Sequence, residues 1–197
     1  VRQTRTRHKY QSGKSQLIEA TGTIEPVVGV EKAIGYFQCS TTGTHDIWDG
    51  LCFESIDGVM YTSVYKQGVA NRIPQTSWNR DKLDGTGPSG VTIDWTHCQI
   101  FQIDLQWLGV GRVRYYVNVD GKAVFVNEIY HANSVDNVYM VSGSQPLCYR
   151  LESTGSASTL KQICCTVQSE GGSEATGIVA VIDRGISTIT LSTTPVV

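Results

Sequence analysis

Residues 112–129 read RVRYYVNVDGKAVFVNEI. Val113, Tyr115, Val117 and Val119 alternate with Arg112, Arg114, Tyr116 and Asn118, and Asp120-Gly121 then separates this run from a second, Lys122 to Ile129. Alternation with a period of two puts one side of a strand in a core and leaves the other wet. Asp-Gly supplies the two positive-φ positions of a tight hairpin turn. The stretch therefore predicts two antiparallel strands, and the same grammar recurs where Asp57-Gly58 joins Cys52–Ile56 to Val59–Lys66.

Working outward, strand-like runs fall at Ser15–Thr23, Lys32–Cys39, Gln99–Gln106, Asn137–Met140, Cys148–Ser153, Ile163–Ser169, Ile178–Ile182 and Ser187–Leu191. Clusters of Gly, Ser, Pro and Asn lie between them, as at 83–90, 143–146 and 171–177. Only Ser158–Cys164 has a helical look, and it is too short to stand alone. About ten short strands with turns at regular spacing predict an all-β fold, a two-sheet antiparallel sandwich of jelly-roll type with little helix. A closed barrel is the alternative. The 197 residues fit one domain. It is expected over 15–197, preceded by a basic arm or edge strand at 1–14.

That arm carries Arg2, Arg5, Arg7, Lys9 and Lys14 and no acid, whereas the rest of the chain sets eleven basic residues against eighteen acids. Three readings stay open: nucleic-acid binding, docking on the acidic body of a neighbouring subunit, or a solvated terminal strand. The first residue is Val and the chain ends Ser-Thr-Thr-Pro-Val-Val, which points to a trimmed piece of a longer protein. No run of about eighteen apolar residues exists, so membrane insertion by a helix is not expected.

Motifs for chemistry are sparse. Gly13-Lys14-Ser15 resembles the tail of a phosphate-binding loop, but His8 stands where that loop needs its first glycine. The six cysteines include no Cys-x-x-Cys pair, and His8, His45, His97 and His131 lack a second His at metal-sharing spacing, so neither cofactor nor metal is expected. No nucleophile elbow occurs. Glu54 and Asp57 are the nearest approach to a glycosidase pair, yet Asp57 belongs to a turn and the two side chains should diverge. A non-enzymatic protein is predicted.

Binding has better candidates. Trp48, Trp78 and Trp95 each sit beside acidic or amide residues, Asp46 among them, as a sugar-stacking platform requires. The alternative is that they plug the open ends of a sandwich. Arg112 and Arg114 should share an exposed sheet face, as partners for a neighbour's carboxylates or simply solvated.

The segments SWN at 77–79, DGTGPSGVTI at 84–93, QIFQID at 99–104 and QWLGVGRVR at 106–114, with YQSGKSQLI at 10–18 and residues 151–172, span most of the chain. Together they resemble a family of virion structural proteins found in tailed bacteriophages and viral metagenomes, whose members extend beyond the point where this chain ends. The resemblance implies a fibre, decoration or capsid-associated subunit, located on the virion and assembled in the host cytoplasm. It would self-associate and dock on other virion proteins through Arg2, Arg5, Arg7, Arg112 and Arg114. A carbohydrate-binding module for host attachment is the alternative function, with a host glycan at Trp48, Asp46, Trp78 and Trp95. Nucleic acid is not expected as a partner.

Overall fold

The computed structural model describes residues 1–41 and 45–171. These form eleven strands: β1 (Arg2–Gln3), β2 (Gln16–Gly22), β3 (Val30–Cys39), β4 (Ile47–Ile56), β5 (Val59–Lys66), β6 (Val69–Pro74), β7 (Gln99–Leu105), β8 (Val113–Val119), β9 (Lys122–Ile129), β10 (Leu147–Ser153) and β11 (Gln162–Ser169). One sheet runs β1-β10-β3-β4-β5-β6 and the other β11-β2-β7-β8-β9, with every pairing antiparallel. The fold is an all-β two-sheet sandwich. The expected runs at 178–182 and 187–191 lie outside the described residues.

Both Asp-Gly hairpins form, with φ of +49° and +82° at Asp57-Gly58 and +51° and +74° at Asp120-Gly121. A third turn of the same geometry, Gln67-Gly68 at +50° and +80°, joins β5 to β6. Nothing in that pair of residues signals a turn as Asp-Gly does, because Gln is seldom found at positive φ. One expectation is corrected. Residues 137–140 are not a strand, since the Tyr139 amide donates to the Gly109 carbonyl (2.9 Å) and the Val138 carbonyl accepts from Lys66 Nζ (2.7 Å), both off any ladder. Residues 158–161 form no helix, as their short run implied, and Gln162 onward pairs with β2 as the expected strand.

The alternation read in 113–117 places Val113, Tyr115 and Val117 in the space between the sheets, against Ile34, Tyr36, Leu51 and Phe53. Side-chain bonds join the two sheets: Tyr115 donates its hydroxyl to the Ser63 carbonyl (2.8 Å), Asn127 Nδ2 donates to Thr62 Oγ1 (2.7 Å), and the Tyr149 hydroxyl donates to the Cys164 carbonyl (3.0 Å). Buried polar groups that find partners across a core fix the relative register of the layers.

The first sheet buries a second apolar cluster on its outer face: Ala33, Phe37, Ile47, Cys52, Tyr65 and Cys148. Its cover is the end of the β3–β4 hairpin. Arg150 stands opposite Ala33 in the β10–β3 ladder, yet its Nε donates to the His45 carbonyl (3.2 Å) and its guanidinium lies 3.4 Å from the Asp46 carboxylate. Those contacts require the hairpin to curl back over its own sheet. The bend falls at a register shift beside Gln38 and at Gly50, where φ is +135° and an added Cβ would lie 2.3 Å from the Tyr36 carbonyl oxygen. Only glycine fits there.

On the opposite side of the sandwich, Asn79 seals the outer edge of β9. Its Nδ2 donates to the Glu128 carbonyl (2.8 Å) and its Oδ1 accepts from the Glu128 amide (3.0 Å), while the Arg80 and Asp81 amides donate to the Val126 carbonyl (3.2 and 3.1 Å). Asp81 then organises the loop that follows, accepting the amides of Leu83 and Ser89 at 2.8 Å each. Burial pushes its carboxyl up, but those two amides outweigh it and hold the carboxyl below its ordinary value. A carboxyl depressed on folding stabilises the protein above about pH 4, its unfolded value, and that contribution disappears as pH falls through the lower, folded value. Melting curves of the parent and of Asp81→Asn from pH 7 to pH 2 should therefore converge below pH 4. Parallel curves would refute this assignment.

Candidate functional site

The three tryptophans singled out by their polar neighbours occupy different environments. Trp48, on β4, keeps 43% of its surface exposed. Trp78 is 2% exposed and belongs to the inter-sheet core, with its ring edge-on to Phe53 and its Nε1 donating to the Ile73 carbonyl (3.1 Å). Trp95 stacks on Phe101 at a centroid distance of 6.2 Å, and its Nε1 donates to Gln75 Oε1 (3.1 Å). Trp78 and Trp95 therefore pack on the inter-sheet core from the β6–β7 connection, and a sugar-stacking role for Trp78 is corrected by its burial. Asp46 is exposed, and its carboxylate faces Arg150.

Trp48 packs against the β5–β6 turn, which also borders a cleft. Its carbonyl accepts the Gly68 amide (2.7 Å), and its ring packs over Gly68, where an added Cβ would sit 3.6 Å from the indole. The β5–β6 turn that carries Gly68 also forms one wall of the cleft, through Gln67 and Val69. The other wall is the β9–β10 connection, with His131, Asp136 and Tyr139, and the space amounts to about 650 Å³. That lies within the range of small-molecule sites.

Specific contacts hold the second wall. Asp49 accepts the amides of Val141 (2.9 Å) and Ser142 (3.1 Å) and Nε2 of Gln145 (2.7 Å). The His131 ring stacks on Tyr139 with centroids 3.8 Å apart and planes 8° from parallel. Its Nδ1 lies 2.7 Å from the Gly111 carbonyl, a pairing in which the nitrogen must donate. Burial lowers the His131 pKa against the opposing pull of that bond, so the ring is neutral at pH 7 and Nε2 is the acceptor. Tyr139 is 5% exposed and its hydroxyl has no partner among the described residues.

Among the residues expected at subunit contacts, Arg112 and Arg114 have partners within the chain. Arg114 pairs with Asp104 of β7, and Arg112 lies 3.6 Å from Glu128, which also takes Arg80 at 2.5 Å. Both arginines are thus engaged by carboxylates of their own sheet, because the ladder brings Asp104 opposite Arg114. The arm of residues 1–14 lies along the body: Thr4 and His8 donate their amides to Leu147 and Gln145, and Tyr36 donates its hydroxyl to the His8 carbonyl. The side chains of Arg2, Arg5 and Arg7 remain exposed, with Arg7 Nη1 3.4 Å from Gln145 Oε1.

Glu54 is buried on the outer face of the first sheet and accepts from Ser63 Oγ (2.5 Å), Tyr65 Oη (2.7 Å) and Arg72 Nε (2.9 Å). Asp57 accepts the Gly29 amide at 2.9 Å in its turn. The two carboxylates thus have separate structural partners and share no cleft.

No family model matches this sequence, and no curated protein does. Solved structures with some likeness include an ancestral congerin, at 9% identity and a TM-score of 0.36 over 81% of this chain and 93% of that one. CG-16, a homodimeric agglutinin from chicken liver, gives 10% and 0.37 over 83% and 96%. The botulinum neurotoxin serotype C1 binding domain gives 10% and 0.36 over 80% of this chain and 32% of that one. Likeness at this level is limited to the sandwich plan and carries nothing about ligand.

Proposed function

We propose that this chain is a carbohydrate-binding module whose site is the cleft between the β5–β6 turn and residues 131–139, with Trp48 at its rim. The observation that carries the reading is that one turn, β5–β6, both packs against the exposed Trp48 indole through Gly68 and walls a cleft whose other side holds His131 and Tyr139. Indole stacks on the apolar face of a pyranose, while the neutral His131 ring, a nitrogen acceptor, matches a sugar hydroxyl. Binding without turnover fits a Glu54 saturated by three donors.

One such site is weak, and many copies make it useful. An attachment subunit displayed on a virus particle, as the sequence resemblance implies, has that property. Trp48→Ala is expected to weaken glycan binding about tenfold, the equivalent of about 1.4 kcal/mol, without a change in melting temperature, since the ring lies at the surface. Titration calorimetry on a glycan selected from an array checks this. An array on which a multimeric form finds no glycan would overturn the reading.

A further inference from the structure

We propose that Cys39 and Cys148 form a reversible disulfide, with Cys39 as the attacking sulfur, Cys148 as the resolving one and a low-molecular-weight disulfide as the oxidant. Cys39 ends β3, and Cys148 lies in β10 opposite Gly35. The ladder alone would keep them apart. The curl of the β3–β4 hairpin brings them together in the outer cluster, where the two thiols are hydrogen-bonded to each other.

Their surroundings differ in the way the chemistry needs. Cys39 is half-buried, and Cys148 is fully buried. The bond from Cys148 favours the Cys39 thiolate; burial opposes it, Arg150 assists, and Asp46 opposes. The same pairing, together with burial, pushes the Cys148 thiol up. A thiolate within reach of solvent, backed by a protonated thiol, is the arrangement of an attacking and a resolving cysteine.

In the first step the Cys39 thiolate attacks one sulfur of the oxidant RSSR, forming Cys39–S–S–R and releasing RS⁻. In the second, Cys148 loses its proton to that RS⁻ and its sulfur attacks Cys39, releasing a second RS⁻ that takes a proton from water. Two thiols of the chain are oxidised and one RSSR is reduced. The product ties the hairpin end, and with it the strand that carries Trp48, to β10.

Glutathione disulfide at neutral pH, with peptide mapping by mass spectrometry, tests this on the full chain. A Cys39–Cys148 crosslinked peptide should accumulate before adducts form on the exposed Cys98 and Cys164, and the crosslinked protein should melt about 5 °C or more above the reduced one. Cys148→Ser should instead trap a glutathione adduct on Cys39, and dithiothreitol should reverse both products. Adducts on Cys98 and Cys164 while Cys39 and Cys148 stay reduced would overturn the proposal. A folded Cys148→Ser protein with Cys39 unmodified would do so too.

Discussion

Phe53→Ala is expected to lower the unfolding free energy by about 3–5 kcal/mol. Phe53 is fully buried at the centre of an aromatic group, with ring centroids 4.9 Å from Phe101, 5.3 Å from Tyr115 and 6.2 Å from Trp78. Phe53 belongs to the first sheet, Phe101 and Tyr115 to the second, and Trp78 to the connection between them. No one element can move in to fill the space without pulling on the others. For a chain of this size the loss corresponds to a fall in melting temperature of roughly 10 °C. Urea unfolding at 25 °C measures it directly, and a loss under about 1 kcal/mol would mean that the sheets close around the gap.

Glu54→Leu is expected to cost about 3 kcal/mol, although leucine is the more hydrophobic residue. Without the carboxylate, Ser63 Oγ and Tyr65 Oη lose their acceptor inside the sheet's outer cluster. Each stranded hydroxyl costs about 1–3 kcal/mol. Arg72 adds less, because its side chain is 41% exposed and can turn to water. Glu54→Gln keeps one acceptor oxygen and should lose about half as much. The same denaturation series decides the matter. Unchanged stability in both variants would show that the carboxylate does not hold the outer face together.

The strands were legible wherever apolar alternation ended in Asp-Gly, as in 112–129, because those turn positions are set by local backbone chemistry. β6 escaped notice for the same reason in reverse: VANRIP has no clean alternation and its turn is Gln67-Gly68. The tryptophans show where local reading stops. Trp48, Trp78 and Trp95 have similar polar neighbours in the chain, but Trp48 lies on a strand with its ring outward, whereas the other two ride the connection from β6 to β7 as it passes over the core. The arginines teach a related point. Alternation correctly set Arg114 opposite the core, but only the ladder register reveals that Asp104 waits across from it. Likewise the cleft is assembled from the polar stretch 131–137 and a turn more than sixty residues earlier, a juxtaposition without a signature in either segment.

Asn79 has a bearing on crowding. A bare sheet margin is a template for a neighbour's backbone, and copies held close together on a scaffold would meet at it constantly. Here a side-chain amide mimics the missing strand at Glu128, and the next two backbone amides occupy the Val126 carbonyl. The β9 margin is thereby closed to polymerisation by strand exchange, so dense display of this domain would not run into fibrils along that side.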